Sequence, residues 1–283
     1  MNIQASQPIG VFDSGFGGLT VVRELLNAMP GEDIVYLGDS ARVPYGIKSP
    51  ETIRRFARED TSFLNGFQPK LVVVACNTAT ATAIDAVRRT AKAPVVDVIT
   101  PGAKAALKAA TKGSPIGVIA TQATASSGAY TRAIHAIDPS REVMTVACPL
   151  LVPIVEEGRD ENDPIVTHVL CEYLCDLQRL RPGALILGCT HYPMLAGAIG
   201  KLMGPSTTLV SSAAAAAHEA QLVLTQMNLL KKTSTQACGS LTCYTTDSPQ
   251  RFASLVERFG GHKAKAVEYV GTDELENFSR NQK

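Results

Sequence analysis

The sequence predicts an α/β protein built from two similar parallel-sheet units, whose strand-end loops line one cleft if the units face each other. Three observations carry that expectation. Short runs rich in Val, Ile and Leu alternate with helical patterns along the chain, and unbroken β-rich runs suit parallel strands covered on both faces. The pattern restarts near the middle: IGVF at 9–12 is echoed by IGVI at 116–119 and VPY at 43–45 by VPI at 152–154, offsets of 107 and 109 residues. The unusual polar residues fall just past the carboxyl ends of the predicted strands, where open parallel sheets bind their ligands.

Taken in order, a strand at 9–12 leads to a helix at 19–28, and one at 34–37 to a helix at 51–65. Strand 71–75 leads to a helix from about residue 79, and strand 95–98 to one at 102–112. The restart supplies strands at 116–120, 143–147 and 184–187, each with a helical partner, and the second unit ends near residue 210. After it come an alanine-rich helix at 212–227, a strand at 241–245, a helix at 249–259 and a strand at 267–270. This tail is too short for a domain of its own and is expected to pack back on the first unit. The expected domains are therefore residues 1–100 with 211–283, and residues 101–210.

At 283 residues, with 45% hydrophobic and 19% charged content, the chain has ample core and no disordered character. Lys plus Arg balance Asp plus Glu at 27 to 26, and no dense basic stretch exists, so no nucleic-acid partner is expected. The start, MNIQASQPIG, is unlike a signal peptide, and no apolar run approaches ~18 residues, so a cytoplasmic protein without membrane association is expected. Seven irregularly spaced cysteines do not form a disulfide framework. The close pairs Cys171/Cys175 and Cys238/Cys243 lack a paired C-x2-C, which disfavours zinc, and apolar packing on one helix face accounts for the first pair.

DSGFGG at 13–18 follows a strand and opens a helix, so its glycines suit a tight turn or the approach of an anion to backbone N–H groups. A dinucleotide reading, with Asp39 as the ribose-binding acid, fails where Thr20 replaces the third glycine and where Asp13 would face a pyrophosphate. Cys76 and Cys189 each stand where a strand hands over to a helix, a position that stabilises a thiolate. A lone strand-end cysteine is commonly a small core residue. Two at equivalent positions of a repeat, followed by Asn77-Thr78 and by Thr190, suit proton removal and return on opposite faces of one carbon.

Ionising an ordinary thiol of pKa ~8.5 costs ~2 kcal/mol at pH 7. Acid–base catalysis contributes only ~10²–10⁴-fold, so positioning and charge stabilisation must contribute more. Asn77, Thr78 and Thr190 are placed by sequence to hold a carboxylate. Asp13 belongs to the Cys76 unit, while His191 and Glu156 lie near Cys189. Pyridoxal phosphate would need a Schiff-base lysine. Lys70 lies at the amino end of its strand, and Lys48 and Lys201 have no supporting context, so no cofactor is expected.

FDSGFGG, GDSARVPYG, CNTATA, VPIVEEG and LGCTHYP, in this order over residues 9–193, resemble the bacterial glutamate racemases. The resemblance implies two parallel-sheet α/β domains related by pseudo-twofold symmetry with the active site in the cleft between them, L- and D-glutamate as substrates, D-glutamate supplied for peptidoglycan, no cofactor or metal, and a homodimer. It implies that Cys76 acts on D-glutamate and Cys189 on L-glutamate, with Asp13, Glu156 and His191 assisting. Asp13, Ser14, Tyr45, Gly46, Asn77, Thr78, Thr124, Thr190 and His191 would contact substrate. The long amino-terminal extension of some members is missing, so control by a cell-wall precursor is not expected. A related aspartate or hydantoin racemase is the nearest alternative. A binding protein that keeps the cleft, or a NAD-dependent dehydrogenase, would represent other classes.

Overall fold

The computed structural model describes residues 3–231 and 238–280. Its strands are β1 (Ile9–Asp13), β2 (Ile34–Gly38), β3 (Leu71–Val74), β4 (Val95–Asp97), β5 (Ile116–Ala120), β6 (Val143–Ala147), β7 (Ala184–Gly188), β8 (Thr208–Ser211), β9 (Leu241–Thr245) and β10 (Ala266–Tyr269). The helices are α1 (Leu19–Ala28), α2 (Pro50–Asn65), α3 (Asn77–Thr90), α4 (Ile99–Ala109), α5 (Gln122–Ser127), α6 (Ala129–His135), α7 (Leu151–Glu156), α8 (Pro164–Leu180), α9 (Ala196–Met203), α10 (Ser212–Gln226), α11 (Pro249–Gly260) and α12 (Thr272–Arg280).

The strands form two sheets, ordered β10-β9-β2-β1-β3-β4 and β6-β5-β7-β8, and every pairing is parallel. The second order repeats the β2-β1-β3-β4 run of the first, with β5 in the place of β1. These are two α/β domains of one topology, and β9 and β10 extend the first sheet. Strands β1, β2, β3, β5 and β7 are buried along their whole length, which is why they read as unbroken apolar runs.

Alternation in the first sheet sends Ile9, Val11, Tyr36, Leu71 and Val73 into a core continuous with the second domain. Phe12, Val35, Leu37, Val72 and Val74 face the other way, in a core that also holds Phe63 and Leu275. Helix α10 packs on both α1 and α4.

The structure departs from the sequence-based expectations in four places. Strand β8 is an edge strand with little burial, so it carries no apolar signature. Helix α4 begins three residues before the predicted start. Asp97 Oδ1 accepts from the N–H groups of Ile99 (2.9 Å) and Thr100 (2.8 Å), and Pro101 is tolerated in a first turn that needs no N–H there. Helix α12 buries only Leu275. On α8 the inward face is Val166, Leu170, Leu174 and Leu177, which leaves Cys171 and Cys175 exposed rather than packed. Among the described residues no helix is long and apolar enough to cross a membrane.

Candidate active site

Cys76 caps α3. Its backbone is extended, and its Sγ accepts from the Ala79 N–H at 3.4 Å. The thiol lies 3.7 Å from Ser14 Oγ. Burial pushes the Cys76 thiol up to about 12, and the nearby charge of Asp13 adds to the rise. Asp13 ends β1, is fully buried, and accepts from the Gly15 N–H through Oδ2 at 3.1 Å. Its Oδ1 has no hydrogen-bond partner. Burial raises the Asp13 carboxyl above the ordinary carboxylate range, against the charge of His191 and the N–H groups of Gly18 and Gly15.

Cys189 follows β7, but no α-helix begins there. The chain passes through a 3₁₀ turn, Tyr192–Leu195, before α9. The Cys189 sulfur instead faces an imidazole. His191 Nδ1 lies 3.9 Å from Sγ, and Nε2 lies 3.1 Å from Glu156 Oε1 at the end of α7. Burial alone would lower the His191 pKa, but its contacts with Cys189 and Glu156 push it up to about 10. The neighbouring Glu157 is exposed, so Glu156 is the carboxylate that reaches the ring. Phe16 meets the ring edge-on at 5.5 Å.

The glycines of DSGFGG make room rather than turn sharply. Gly18 has φ of −62°. A Cβ at Gly17 would lie 2.5 Å from His191 Cε1 and from Thr190 Oγ1. One at Gly18 would lie 2.5 Å from the Asp13 Cβ. Thr20, the residue that spoils the dinucleotide pattern, seals the same junction: its Oγ1 lies 2.9 Å from Gly17 O and 3.0 Å from Thr190 O.

Ser14, Tyr45, Gly46, Cys76, Asn77, Thr78, Cys189, Thr190 and His191 line one cleft of about 80 Å³ between the domains. A water occupies roughly 10–15 Å³ on this measure, so the space holds several waters or one small molecule. Asp13 sits beneath the wall. Glu156 stands behind His191 and borders an outer depression instead. Thr124 is also set back, where its Oγ1 joins Thr78 Oγ1 (3.3 Å) and Thr121 Oγ1 (3.1 Å) in a triangle of hydroxyls.

Thr121 lines the cleft but was not among the substrate contacts expected from the sequence, and neither were Gln122, Pro149, Val152 and Pro153. The repeat could have found Thr121, because the 107-residue offset that relates the two IGV strands maps Ser14 onto it. Among the described residues no lysine lines the cleft. Lys70 is buried at the amino end of β3, paired with Glu32 at 2.5 Å. Among the described residues no group of three or more His, Cys, Asp and Glu is gathered as for a metal ion.

Tyr45 is held from below. Its hydroxyl lies 3.0 Å from Asp60 Oδ2 and donates to Asp39 Oδ2. Arg42 binds the same two carboxylates at 2.7 and 3.1 Å, and also pairs with Glu59. One phenolic proton cannot serve two carboxylates. Burial and the charge of Asp39 raise the Asp60 carboxyl well above the ordinary carboxylate range, against the pull of Arg42.

Residues 9–220 match the Asp/Glu/Hydantoin racemase family. The chain is 46% identical over 266 residues to the glutamate racemase of Geobacter metallireducens, covering 94% of this chain and 97% of that one. It is also 46% identical over 270 residues to that of Chlorobaculum tepidum, with 95% and 98% covered. A crystal structure of a glutamate racemase isoform from Bacillus anthracis superposes with a TM-score of 0.88 at 39% identity, covering 94% and 98%. That of the Francisella tularensis glutamate racemase in complex with D-glutamate gives 0.87 at 40%, covering 95% and 99%. Motifs, duplicated topology, cleft and similarity converge, and the chain belongs to the Asp/Glu/Hydantoin racemase family.

Proposed function

We propose that this protein interconverts L- and D-glutamate by a two-base mechanism in which Cys76 and Cys189 work on opposite faces of the α-carbon. The observation that carries the reading is that thiols from equivalent strand ends of the two domains line one small cleft. A single base would tend to return the proton to the face it left. Two opposed thiols allow removal on one side and delivery on the other.

The surroundings of the two thiols differ in a useful way. With its pKa near 12, ionising Cys76 at pH 7 would cost about 7 kcal/mol, so it rests as a thiol and a proton donor. His191, with a pKa near 10, rests as an imidazolium that stabilises negative charge on the Cys189 sulfur. The pairing suits the L-glutamate direction: Cys189, acting as a thiolate beside the imidazolium, takes the α-proton, and Cys76 returns one from the far side. In the reverse direction Asp13, whose Oδ1 is a buried acceptor without a partner, draws the proton from the Cys76 side.

Asn77, Thr78 and Thr190 hold the α-carboxylate, on which charge builds as the proton leaves. Ser14, Tyr45, Gly46 and the Thr124-supported hydroxyl cluster fix the rest of the substrate. Action without cofactor or metal, as a cytoplasmic homodimer that supplies D-glutamate for peptidoglycan, belongs to the same reading and rests on the family resemblance.

The test is proton NMR in D₂O, with no pyridoxal phosphate added and optical rotation followed in parallel. Loss of the α-proton signal and decay of rotation from both glutamate enantiomers is the expected result. No exchange and no decay would overturn the glutamate assignment, and aspartate and hydantoins would then be assayed.

A further inference from the structure

Tyr130 is buried on α6, and no motif of the sequence points to it. Gly128, at φ +65°, ends α5 and starts α6, and so turns Tyr130 back into the domain interface. The ring passes between two glycines. A Cβ at Gly188 would lie 2.9 Å from Cε2, and one at Gly102 would lie 3.4 Å from Cε1. Gly188 is the residue before Cys189. At the tip of the ring, Oη donates to Asn77 Oδ1 at 2.6 Å, and Asn77 is the residue after Cys76. One side chain of the second domain therefore touches the chain neighbours of both thiols.

The other half of the Asn77 amide completes the case. Nδ2 is buried and has no hydrogen-bond partner, although Asn77 lines the cleft. Buried donors are rarely left unpaired, and an orphan at a binding site marks an acceptor still to come. With Oδ1 occupied by Tyr130, Asn77 has only a donor left to offer. Without the phenol, the amide is free to rotate and present Oδ1, which repels an anion.

We propose that Tyr130 is a positioning residue: it locks the Asn77 amide so that Nδ2 donates to the substrate carboxylate. This rests on the racemase reading above. Tyr130→Phe is the informative change, because it keeps the ring between Gly102 and Gly188 and removes only the hydroxyl.

The experiment measures kcat and KM in both directions for the parent enzyme, Tyr130→Phe, Asn77→Ala and the double variant, with Tm for each. Tyr130→Phe is expected to lower kcat/KM about tenfold in the parent, the scale of one hydrogen bond. In the Asn77→Ala background it is expected to change kcat/KM by less than about twofold, because the group it acts through is gone. Any stability loss from the Phe change enters both arms of the cycle and cancels. An equal loss in both backgrounds would assign Tyr130 to packing alone and overturn the proposal. So would a Tyr130→Phe enzyme within about twofold of the parent. A parent protein that does not racemise glutamate would take down the racemase reading and this assignment together; an active parent with additive variants would take down only the latter.

Discussion

Glu156 reaches Cys189 only through His191, so its contribution should be visible in a pH profile rather than in binding. The imidazolium is lost as pH rises through about 10. Glu156→Gln removes one of the two contacts that hold it there, so the alkaline limb of kcat/KM for L-glutamate should move to lower pH with little change in KM. An alkaline limb that stays in place would show that His191 does not limit that direction. Cys76→Ala and Cys189→Ala should each cut racemisation by on the order of 10³-fold or more, since each removes one of two required proton carriers. Near wild-type turnover in either variant would end the two-base assignment. At this scale the sequence was generous. Strand-end cysteines flanked by Asn77-Thr78 and Thr190-His191 were legible because they interrupt apolar runs. Tyr130 was not, because a tyrosine among alanines on a short helix has no local signal, and its role depends on two glycines far away in sequence.

Helix starts and strand ends carry the larger consequences at the level of elements. The β1–α1 junction fits the second domain so closely that Gly17→Ala should push the His191 ring away from Cys189. A stability loss of roughly 1–3 kcal/mol and a fall in turnover are expected, read by thermal unfolding and initial rates. Full activity in that variant would mean the junction yields without moving the ring. The 3₁₀ turns between β2 and α2 depend on Arg42, whose planar fork reaches Asp39, Glu59 and Asp60 together. Lysine cannot span three carboxylates. Arg42→Lys should therefore cost stability and raise KM more than it lowers kcat, because Tyr45 and Gly46 form the wall above it. Most elements were legible from apolar periodicity alone. The exceptions, β8 and α12, bury too few side chains to leave a pattern.

For the molecule as a whole, buried titrating groups set the tolerance to base. Burial pushes the thiols of Cys76, Cys148 and Cys243 up to about 12 each. A group whose pKa is raised by folding contributes stability below its unfolded value and loses it as pH climbs towards the folded one. For these thiols the window runs from about pH 9 upward, and by pH 10 each costs about 1.4 kcal/mol. His191 acts in the same sense between about 6.5 and 10. Unfolding free energy should therefore decline from about pH 6.5 and fall more steeply above about pH 9, where Cys243→Ala, away from the cleft, should flatten the decline. A slope unchanged by that substitution would remove buried thiols as the cause. The duplicated topology was legible as a restart of the IGV pattern. The continuous core that joins the halves was not, because residues distant in sequence build it.

The two ends of the cleft also differ in how well they forget a proton. From Cys189 a path of acidic hydrogens leads through His191 to Glu156, whose carboxylate borders the outer depression beside Asp247 and Arg251. On the Cys76 side stand Ser14 and the fully buried Asp13, which borders neither the cleft nor the outer depression. A tritium lifted from the D-enantiomer by Cys76 should stay on the Cys76–Asp13 side until an L-glutamate binds and receives it, while one lifted from the L-enantiomer by Cys189 drains to the medium. In an equilibrium mixture of the two enantiomers, where either can bind next, α-tritiated D-glutamate should keep more of its label in the amino-acid pool than α-tritiated L-glutamate. Equal retention would mean that both thiols empty equally fast, and the fold's near symmetry would then extend to its proton traffic.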